Sequence, residues 1–386
     1  METFVNAPGS GGPLRPETEE ELAEIVRAAP PMGLGIEGGG TRCLGHAGTG
    51  ARLSMAGLSG ITLYEPGALT LVARAGTPLA EVEAALAAEG QMLPFEPWDA
   101  RPIGGANGVP TLGGMVAVNA SGPRRIQVGA CRDSLIGVRF VDGTGAIVKN
   151  GGRVMKNVTG LDLVKLMAGS HGTLGVLTEL AFKVLPRPQA GATIILEGLD
   201  DATAGRAMRT ALATPYQVSG AAHRPGEGTF LRLEGFAGSV AHRAGELVRS
   251  LAAFGPARVE EGAGPWTRIR DAAAFGGSEG AVWRVSVKPS DGPELGARLA
   301  GCELIYDWAG GLLWVLAPEQ LDLRAAMAGI AGHATLIRAS EAARRRWGPF
   351  HPEPTPVAAL SAGLKAKFDP RGVLNPGRMA AGEMVA

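Results

Sequence analysis

The chain is poor in cysteine, with three in 386 residues, at Cys43, Cys131 and Cys302. They lie far apart and form no C-x-x-C pair, so the sequence lacks the ligand spacing of an iron–sulfur cluster or a structural zinc site. We expect each to be a small apolar residue, buried in a protein of a reducing compartment.

Neither sign of charge is in excess, because 37 Lys and Arg balance 37 Asp and Glu. The chain therefore lacks the basic field that attracts nucleic acid. No apolar stretch is long enough to span a bilayer, and the acidic N-terminal segment lacks the apolar core of a signal peptide. These absences predict a cytoplasmic protein with no nucleic acid partner and no transmembrane segment.

Glycine is the residue in excess, with 59 copies and no collagen-like period. The stretch MGLGIEGGGTRCLG, residues 32–45, contains G-x-G-x-x-G at Gly33, Gly35 and Gly38. A Rossmann loop must open a helix, but the glycines continue to residue 50 and each costs a helix about 1 kcal/mol. The Rossmann interpretation therefore fails. The stretch instead predicts a loop of bare backbone, ending in Thr41 and Arg42, that a polyanion can approach.

Local signals mark several elements. Thr18 and Glu21 form a capping box before an apolar helical stripe. Thr77 is predicted to cap a second helix, which Gly90 ends. The stretch SLIGVRFVDGTGAIVKNGG predicts a β-hairpin that turns at residues 142–145.

Residues 190–340 differ in pattern from what precedes them. Runs such as ATIILEGL, TFLRLEGF, AVWRVSVKP and GLLWVLAP alternate with alanine-rich helices, which predicts a separate antiparallel sheet covered by helices. We therefore divide the chain into residues 1–188, a cap domain at 189–340, and a segment at 341–386 that returns to the first domain. The tryptophans of the second part are expected to be core residues: Trp266, Trp283, Trp308 and Trp314.

Three glycine clusters stand out: IEGGGTR (36–42), TLGGMVAVNASG (111–122) and GSHGTLGVLTEL (169–180). Glycines expose backbone N–H groups that can bind phosphate, and Thr111, Ser121 and Thr173 add hydroxyl groups. Any one cluster alone is typical of ordinary tight turns. Three together favour a binding site for a phosphate-bearing ligand.

These clusters, with YEPGALTLVARAGTPLAEVEAAL, the DGTG hairpin and the terminal FDPRGVLNPG in this order, resemble the FAD-binding fold of the vanillyl-alcohol oxidase/p-cresol methylhydroxylase family. The resemblance covers most of residues 15–188 and about the last twenty. It implies an α+β fold in which two subdomains hold FAD beneath a smaller α+β cap domain.

The resemblance also implies where FAD is held. The first cluster would hold the pyrophosphate, the second would form a wall beside it, the third would reach the adenine or ring edge, and the C-terminus would approach the flavin. The implied residues are Gly38, Gly39, Gly40, Thr41, Arg42, Thr111, Gly113, Gly114, Asn119, Ser121, Gly122, Gly172, Gly175, Val176 and Asn375. Some relatives attach the flavin through a histidine in the first loop, where this chain has Thr41, so non-covalent FAD is expected. His46 lies several residues further on.

Within the family, the likeness to flavin subunits of bacterial glycolate oxidase implies oxidation of a small 2-hydroxy acid, glycolate, to glyoxylate. The implied partners are a homologous FAD-binding D subunit and an iron–sulfur F subunit, through which any contact with the inner membrane would be made. Two alternatives remain: a stand-alone FAD-dependent 2-hydroxy-acid or alditol dehydrogenase, and a non-catalytic assembly subunit with an FAD fold.

Catalytic residues are not assigned. Relatives that oxidise hydroxy acids alone lead us to expect a motif H-x-x-D-G-N-x-H, often serving a metal, and the sequence lacks it. None of the six histidines pairs at i, i+3 or i, i+4, so no metal site is predicted. His171 is the best candidate for proximity to the cofactor. Arginines could bind a carboxylate in bidentate fashion; the candidates are Arg124, Arg125, Arg132, Arg284 and residues 344–346, the last of which we expect to face solvent or a partner.

Overall fold

The computed structural model describes residues 12–42, 50–152 and 160–379. Its strands are β1 (Leu34–Glu37), β2 (Ala51–Ser54), β3 (Ile61–Glu65), β4 (Thr70–Arg74), β5 (Gln91–Met92), β6 (Leu135–Val141), β7 (Ile147–Gly151), β8 (Val176–Lys183), β9 (Leu185–Pro186), β10 (Ala190–Leu196), β11 (Gly220–Arg224), β12 (Gly228–Gly235), β13 (Ala257–Glu261), β14 (Ala281–Val287), β15 (Glu303–Asp307), β16 (Leu312–Ala317) and β17 (Gly332–Arg338).

The α-helices of the same residues are α1 (Glu19–Arg27), α2 (Leu79–Ala88), α3 (Arg101–Gly104), α4 (Leu112–Ala117), α5 (Arg125–Val128), α6 (Cys131–Ser134), α7 (Leu163–Met167), α8 (Asp201–Leu212), α9 (Ala237–Ser250), α10 (Trp266–Arg270), α11 (Gly292–Arg298), α12 (Leu323–Ala326), α13 (Glu341–Trp347) and α14 (Thr355–Phe368). Among these residues, no helix combines the length and apolar character that crossing a bilayer requires.

Two larger sheets organise the molecule. Strands β3, β4, β8, β6 and β7 form a five-stranded sheet in that order, with antiparallel neighbours throughout. Strands β13, β10, β12, β11, β15, β16, β14 and β17 form an eight-stranded antiparallel sheet, hereafter the cap sheet. The mixed α+β architecture and the antiparallel sheet expected between residues 190 and 340 are confirmed.

Two small strand pairings complete the first part of the chain. β1 and β2 pair in parallel, and Leu34 of β1 also bridges Leu374 near the C-terminus. β5 pairs with β9, so the predicted boundary at residues 188/189 falls between β9 and β10. The C-terminal segment thus contacts the first strand.

Local sequence signals placed most elements correctly. Helix α1 begins after Thr18, whose hydroxyl accepts a hydrogen bond from the Glu21 N–H at 3.1 Å, and the hairpin of β6 and β7 forms as predicted. The cap predicted for the second helix was wrong. Pro78 occupies the position before α2, while the Thr77 hydroxyl donates to the Arg74 carbonyl at 2.7 Å. The side chain is held by that bond at the end of β4 and does not reach the helix.

One apolar core joins the first part of the chain to the cap sheet. Phe95 and Trp98 from the first part belong to the same buried cluster as Trp266, Trp308 and Trp314 from the second. All four tryptophans expected in the core are buried, Trp283 in the second cluster, on the cap side. The cap sheet is therefore packed tightly against the first domain.

Two of the three cysteines lie among the described residues. Cys131 is buried, as expected, whereas Cys302 is half-buried. Cys43 and His46 lie outside the described residues.

Candidate functional site

A cavity of about 650 Å³ lies between β1, helix α4 and the loop that precedes β8. This volume is within the range of about 300–1,000 Å³ typical of small-molecule sites. Twelve of the fifteen predicted residues line it: Gly38, Gly39, Gly40, Thr41, Arg42, Thr111, Gly113, Gly114, Gly172, Gly175, Val176 and Asn375. All three glycine clusters and the C-terminal segment therefore reach one cavity.

The first glycine loop contains glycine for two different reasons. A Cβ atom on Gly38 would overlap the Thr111 hydroxyl, and one on Gly39 would overlap the Val109 carbonyl group. These two glycines allow the loop to lie directly against the segment before α4. Gly40 instead has a left-handed φ of 69°, and a Cβ there would meet open space. The backbone at Gly40 is thus accessible to a ligand.

The second wall is the first turn of α4. Thr111 caps this helix, and its hydroxyl accepts a hydrogen bond from the Gly114 N–H at 3.3 Å. The Gly113 N–H donates to the Ala75 carbonyl at 2.7 Å, and a Cβ on Gly113 would come within 2.8 Å of the Ala75 Cβ. Small residues here bring the helix backbone up to the cavity.

Three predicted residues of this cluster, Asn119, Ser121 and Gly122, are not among the lining residues. The Asn119 side-chain oxygen accepts from the Arg132 N–H at 3.1 Å, and the Ser121 hydroxyl accepts from the Cys131 N–H at 2.9 Å. These polar groups stabilise the turn that follows α4. Their contact with a cofactor stays a prediction.

Asn375 joins three segments of the cavity wall. Its side-chain oxygen accepts from the Ile36 N–H at 2.8 Å, and its amide nitrogen donates to the His171 carbonyl at 2.9 Å. Its own backbone N–H donates to the Leu34 carbonyl at 3.0 Å. A Cβ on Gly172 would lie 2.8 Å from the Asn375 amide nitrogen, so glycine is needed beside it. Asn375 therefore holds the wall together through both ends of its amide.

His171 lines the cavity, as its place in the third cluster led us to expect. Burial, together with the charge of Arg378, lowers the pKa of His171 to about 4. Its ring lies edge-on against Phe350, with the ring centroids 4.8 Å apart. The imidazole is therefore neutral at physiological pH in the chain without a bound anion.

Positive charge comes from arginines. Arg42 is buried, which lowers its pKa to about 10, and it stays protonated near neutral pH. Its Nε has no hydrogen-bond partner among the described residues, although its guanidinium lies 5.4 Å from the Trp98 ring centroid. Arg344 and Arg378 also line the cavity, whereas Arg52 pairs with Glu37 at 2.8 Å. The lining thus has a net positive charge.

These features fit the pyrophosphate of FAD. A doubly charged anion needs N–H donors, compensating cations and close approach to the backbone. Gly40 provides the accessible backbone, and Arg42 provides a protonated guanidinium in the cavity wall.

Comparisons with known proteins agree with this geometry. Residues 12–151 match the family described as an FAD binding domain. The chain is 40% identical over 367 residues to glycolate oxidase subunit GlcE of Escherichia coli K12, an alignment that covers 94% of this chain and 96% of that protein. The chain belongs to the GlcE family. The resemblance to FAD-binding oxidoreductases seen in the sequence is confirmed.

More distant relatives share only part of the chain. A D-lactate dehydrogenase of Anaerostipes hadrus is 32% identical over 206 residues, which is 50% of this chain and 42% of that one. Glycolate oxidase subunit GlcD of Bacillus subtilis is 32% identical over 127 residues, 33% of this chain and 26% of that one. A solved alkyldihydroxyacetonephosphate synthase matches with a TM-score of 0.66 at 16% identity, over 94% of this chain and 75% of that one, which shows the shared fold.

A second cluster, hereafter the Arg–Trp cluster, lies where the cap of this GlcE-family chain meets the first domain; it consists of Arg125, Arg284, Trp308 and Trp314. Trp314 contacts Trp98 edge-on, with ring centroids 5.3 Å apart. The Arg284 guanidinium lies 5.0 Å from the Trp308 ring centroid and that of Arg125 lies 4.4 Å from it. The cluster thus connects through Trp98 to Arg42 at the cavity.

Arg284 is the most desolvated cation of this cluster. Burial, reinforced by the charge of Arg125, lowers its pKa to about 10, and its Nε has no hydrogen-bond partner among the described residues. Asp307 nearby is also buried, which raises its pKa to about 7. A guanidinium held among apolar rings is suited to binding a carboxylate. Of the candidate arginines, Arg124 is instead paired with Glu234 at 3.0 Å.

The sequence interpretation missed or misplaced several lining residues of this GlcE-family site. Arg344 was expected to face solvent or a partner, but it lines the cavity, and its guanidinium donates to the Ile337 carbonyl at 2.9 Å. Arg378, Glu37 and Arg52 line the cavity as well. Arg378 directly follows the FDPRGVLNPG segment already singled out, so its position was a usable signal. The described residues contain no group of three or more His, Cys, Asp or Glu side chains suited to a metal ion.

Proposed function

We propose that this chain is the FAD-binding E-type subunit of a glycolate oxidase, which oxidises glycolate to glyoxylate. The observation that carries the proposal is the cavity itself. Three glycine segments and the C-terminal Asn375 converge on it, and this arrangement accompanies full-length similarity to GlcE.

FAD would be held without a covalent bond. The backbone of residues 38–40 and the Arg42 guanidinium would bind the pyrophosphate, and Thr41 occupies the place where some relatives carry an attaching histidine. Bound FAD supplies an acceptor for the two electrons and the hydrogen that leave the alcohol carbon. The chain itself provides binding, orientation and exclusion of water.

The substrate carboxylate is assigned to the Arg–Trp cluster. Arg284 and Arg125 place two guanidinium groups on the same tryptophan ring. The buried rings of Trp308 and Trp314 exclude water, which strengthens the attraction between a guanidinium and a carboxylate.

Turnover is proposed to need partner subunits. The sequence lacks H-x-x-D-G-N-x-H and paired histidines, and a positioned general base contributes roughly 10²–10⁴-fold to rate. It also lacks the cysteine spacing of a cluster that would pass electrons on. The proposed partners are a homologous FAD-binding D subunit, of the kind represented by GlcD, and an iron–sulfur subunit.

The test is reduction of an artificial dye by glycolate, with the chain alone and in the reconstituted complex. We expect slow reduction by the chain alone and rapid reduction by the complex. Equal rates would contradict the need for partners and favour a stand-alone dehydrogenase. A purified chain without any flavin would favour the assembly-subunit alternative.

A separate experiment tests the assignment of the substrate carboxylate to Arg284. Arg284→Lys in the complex should raise KM for glycolate more than it lowers kcat, because lysine keeps the charge but loses the bidentate geometry. The matched control is Arg206→Lys, an exposed residue on helix α8 of the cap, where the guanidinium donates to the Thr203 hydroxyl at 2.8 Å. An unchanged KM for the Arg284 variant would contradict the assignment.

A further inference from the structure

The charged network around Glu96 lies away from the cavity yet connects the cap sheet to its wall. We propose that Glu96 is a positioning residue, which fixes the cap sheet against the turn after α4 and thereby sets the geometry of the FAD site. The inference rests on the proposed FAD site and adds a residue that contacts neither cofactor nor substrate.

Glu96 has an unusual local conformation. Its φ is 48°, in the left-handed region that residues other than glycine rarely adopt. Its carboxylate accepts a hydrogen bond from the Arg124 N–H at 3.0 Å and bonds from both terminal nitrogens of Arg232 at 2.8 Å. Strained backbone persists where surrounding contacts determine it, and here those contacts come from two parts of the chain.

On the cap side, several contacts hold the network. Arg232, on β12, is buried; its guanidinium lies 4.7 Å from the Trp266 ring centroid and its Nε donates to the Ser219 hydroxyl at 3.1 Å. Glu234 on the same strand pairs with Arg124 at 3.0 Å and with Arg232 at 3.1 Å. Two arginines and two glutamates thus balance in charge. Removal of one partner would leave a buried charge uncompensated.

The network reaches the cavity wall through Gly122. The Gly122 N–H donates to the Phe95 carbonyl at 2.9 Å, and its carbonyl accepts from the Trp308 indole N–H at 3.0 Å. A Cβ on Gly122 would overlap the carbonyl of Glu96. Gly122 therefore lies between the Glu96 segment and the cap, at the end of the turn that follows α4.

This turn continues directly into the lining helix. Gly113 and Gly114 of α4 line the cavity, whereas Glu96, Arg124, Arg232 and Glu234 do not. A displacement of the Glu96–Arg232 pair would move the turn and the start of the cap together. The displacement would then weaken FAD binding by moving the helix that lines the cavity, without direct contact between the pair and the cofactor.

The experiment is a double-mutant cycle on the full-length chain, with Glu96→Gln, Arg232→Gln and the double variant. The readouts are FAD affinity, visible circular dichroism of the bound flavin, and the melting temperature of the chain without FAD. We expect each single variant to weaken FAD binding about tenfold and to change the flavin dichroism. The double variant should bind no more weakly than either single one, because the pair acts as a unit.

Two further variants complete the design. Arg232→Lys keeps the network neutral but loses the bidentate pairing with Glu96 and the guanidinium contacts with Trp266 and Ser219, so the dichroism should still change in a variant with no uncompensated charge. Glu81→Gln, an exposed glutamate on α2, should behave as wild type.

Additive effects in the double variant would overturn the inference. So would a lower melting temperature with unchanged affinity and dichroism, since that would show a role in stability alone. Either result leaves the proposed function intact. A wild-type chain that binds no FAD would overturn the proposed function and this inference with it.

Discussion

Removal of the Asn375 amide is expected to loosen the cavity wall. In Asn375→Gly, the Ile36 N–H and the His171 carbonyl both lose their partner, while the left-handed φ of 42° stays accessible to glycine. An unsatisfied buried group costs about 1–3 kcal/mol. Because both bonds are only partly buried, we take about 1–2 kcal/mol for each, or about 2–4 kcal/mol together.

This magnitude is measurable by thermal unfolding. At about 2.1 cal/mol/K per residue, a 386-residue chain that unfolds as one unit has an unfolding entropy of about 0.8 kcal/mol/K. The Tm of Asn375→Gly should therefore fall by about 2–5 °C, and FAD affinity should fall with it because three lining segments are released.

Two companion variants separate the causes. Asn375→Ala adds the strain of a left-handed Cβ residue, about 1–2 kcal/mol, so its Tm should be lower still. Asn375→Asp keeps the acceptor for the Ile36 N–H but places a carboxylate oxygen against the His171 carbonyl. Wild-type Tm and FAD affinity in Asn375→Gly would refute the reasoning that this amide holds the wall.

Three other outcomes concern the same cavity. Gly39→Ala should abolish FAD retention because its Cβ would overlap the Val109 carbonyl. Gly40→Ala, whose Cβ meets open space, should keep part of the flavin. Visible absorbance of the purified variants measures the retained flavin, and full occupancy in the Gly39 variant would contradict the expectation. Acid precipitation should release the flavin into the supernatant, since the family resemblance places Thr41 where some relatives carry an attaching histidine; colour that stays with the pellet would reveal a covalent bond. The pKa of His171 is lowered to about 4 in the folded chain, below its ordinary 6.5, so between these pH values the unfolded chain binds a proton that the folded chain does not. The contribution of His171 to the free energy of unfolding is therefore full above about pH 6.5 and falls by about 3 kcal/mol as the pH drops to 4. Tm measured against pH should be flatter in His171→Gln, and identical profiles would show that another group is responsible.

Cap and turn signals in the sequence were informative where the interacting groups are close along the chain. Thr18 and Glu21 interact within one helical turn, and the hairpin of β6 and β7 follows from four turn residues. The glycine clusters could also be recognised in the sequence. Where the backbone approaches another atom closely, a Cβ is excluded and glycine is required, independently of the rest of the fold. Thr77 shows the limit: its hydroxyl bonds back to Arg74, a competing local partner that the capping pattern does not reveal.

The sequence by itself therefore determined the α+β class, the antiparallel cap sheet and the segments that bear the glycines. Only the tertiary structure decided which groups those segments meet. Asn375 bonds to Ile36 across 339 positions, and Arg232 bonds to Glu96 across 136. Caps, turns and periodicity act over a few residues, whereas these pairings depend on how the sheets pack. That is why Asn375 could be expected near the cofactor, while its role in joining three segments could not.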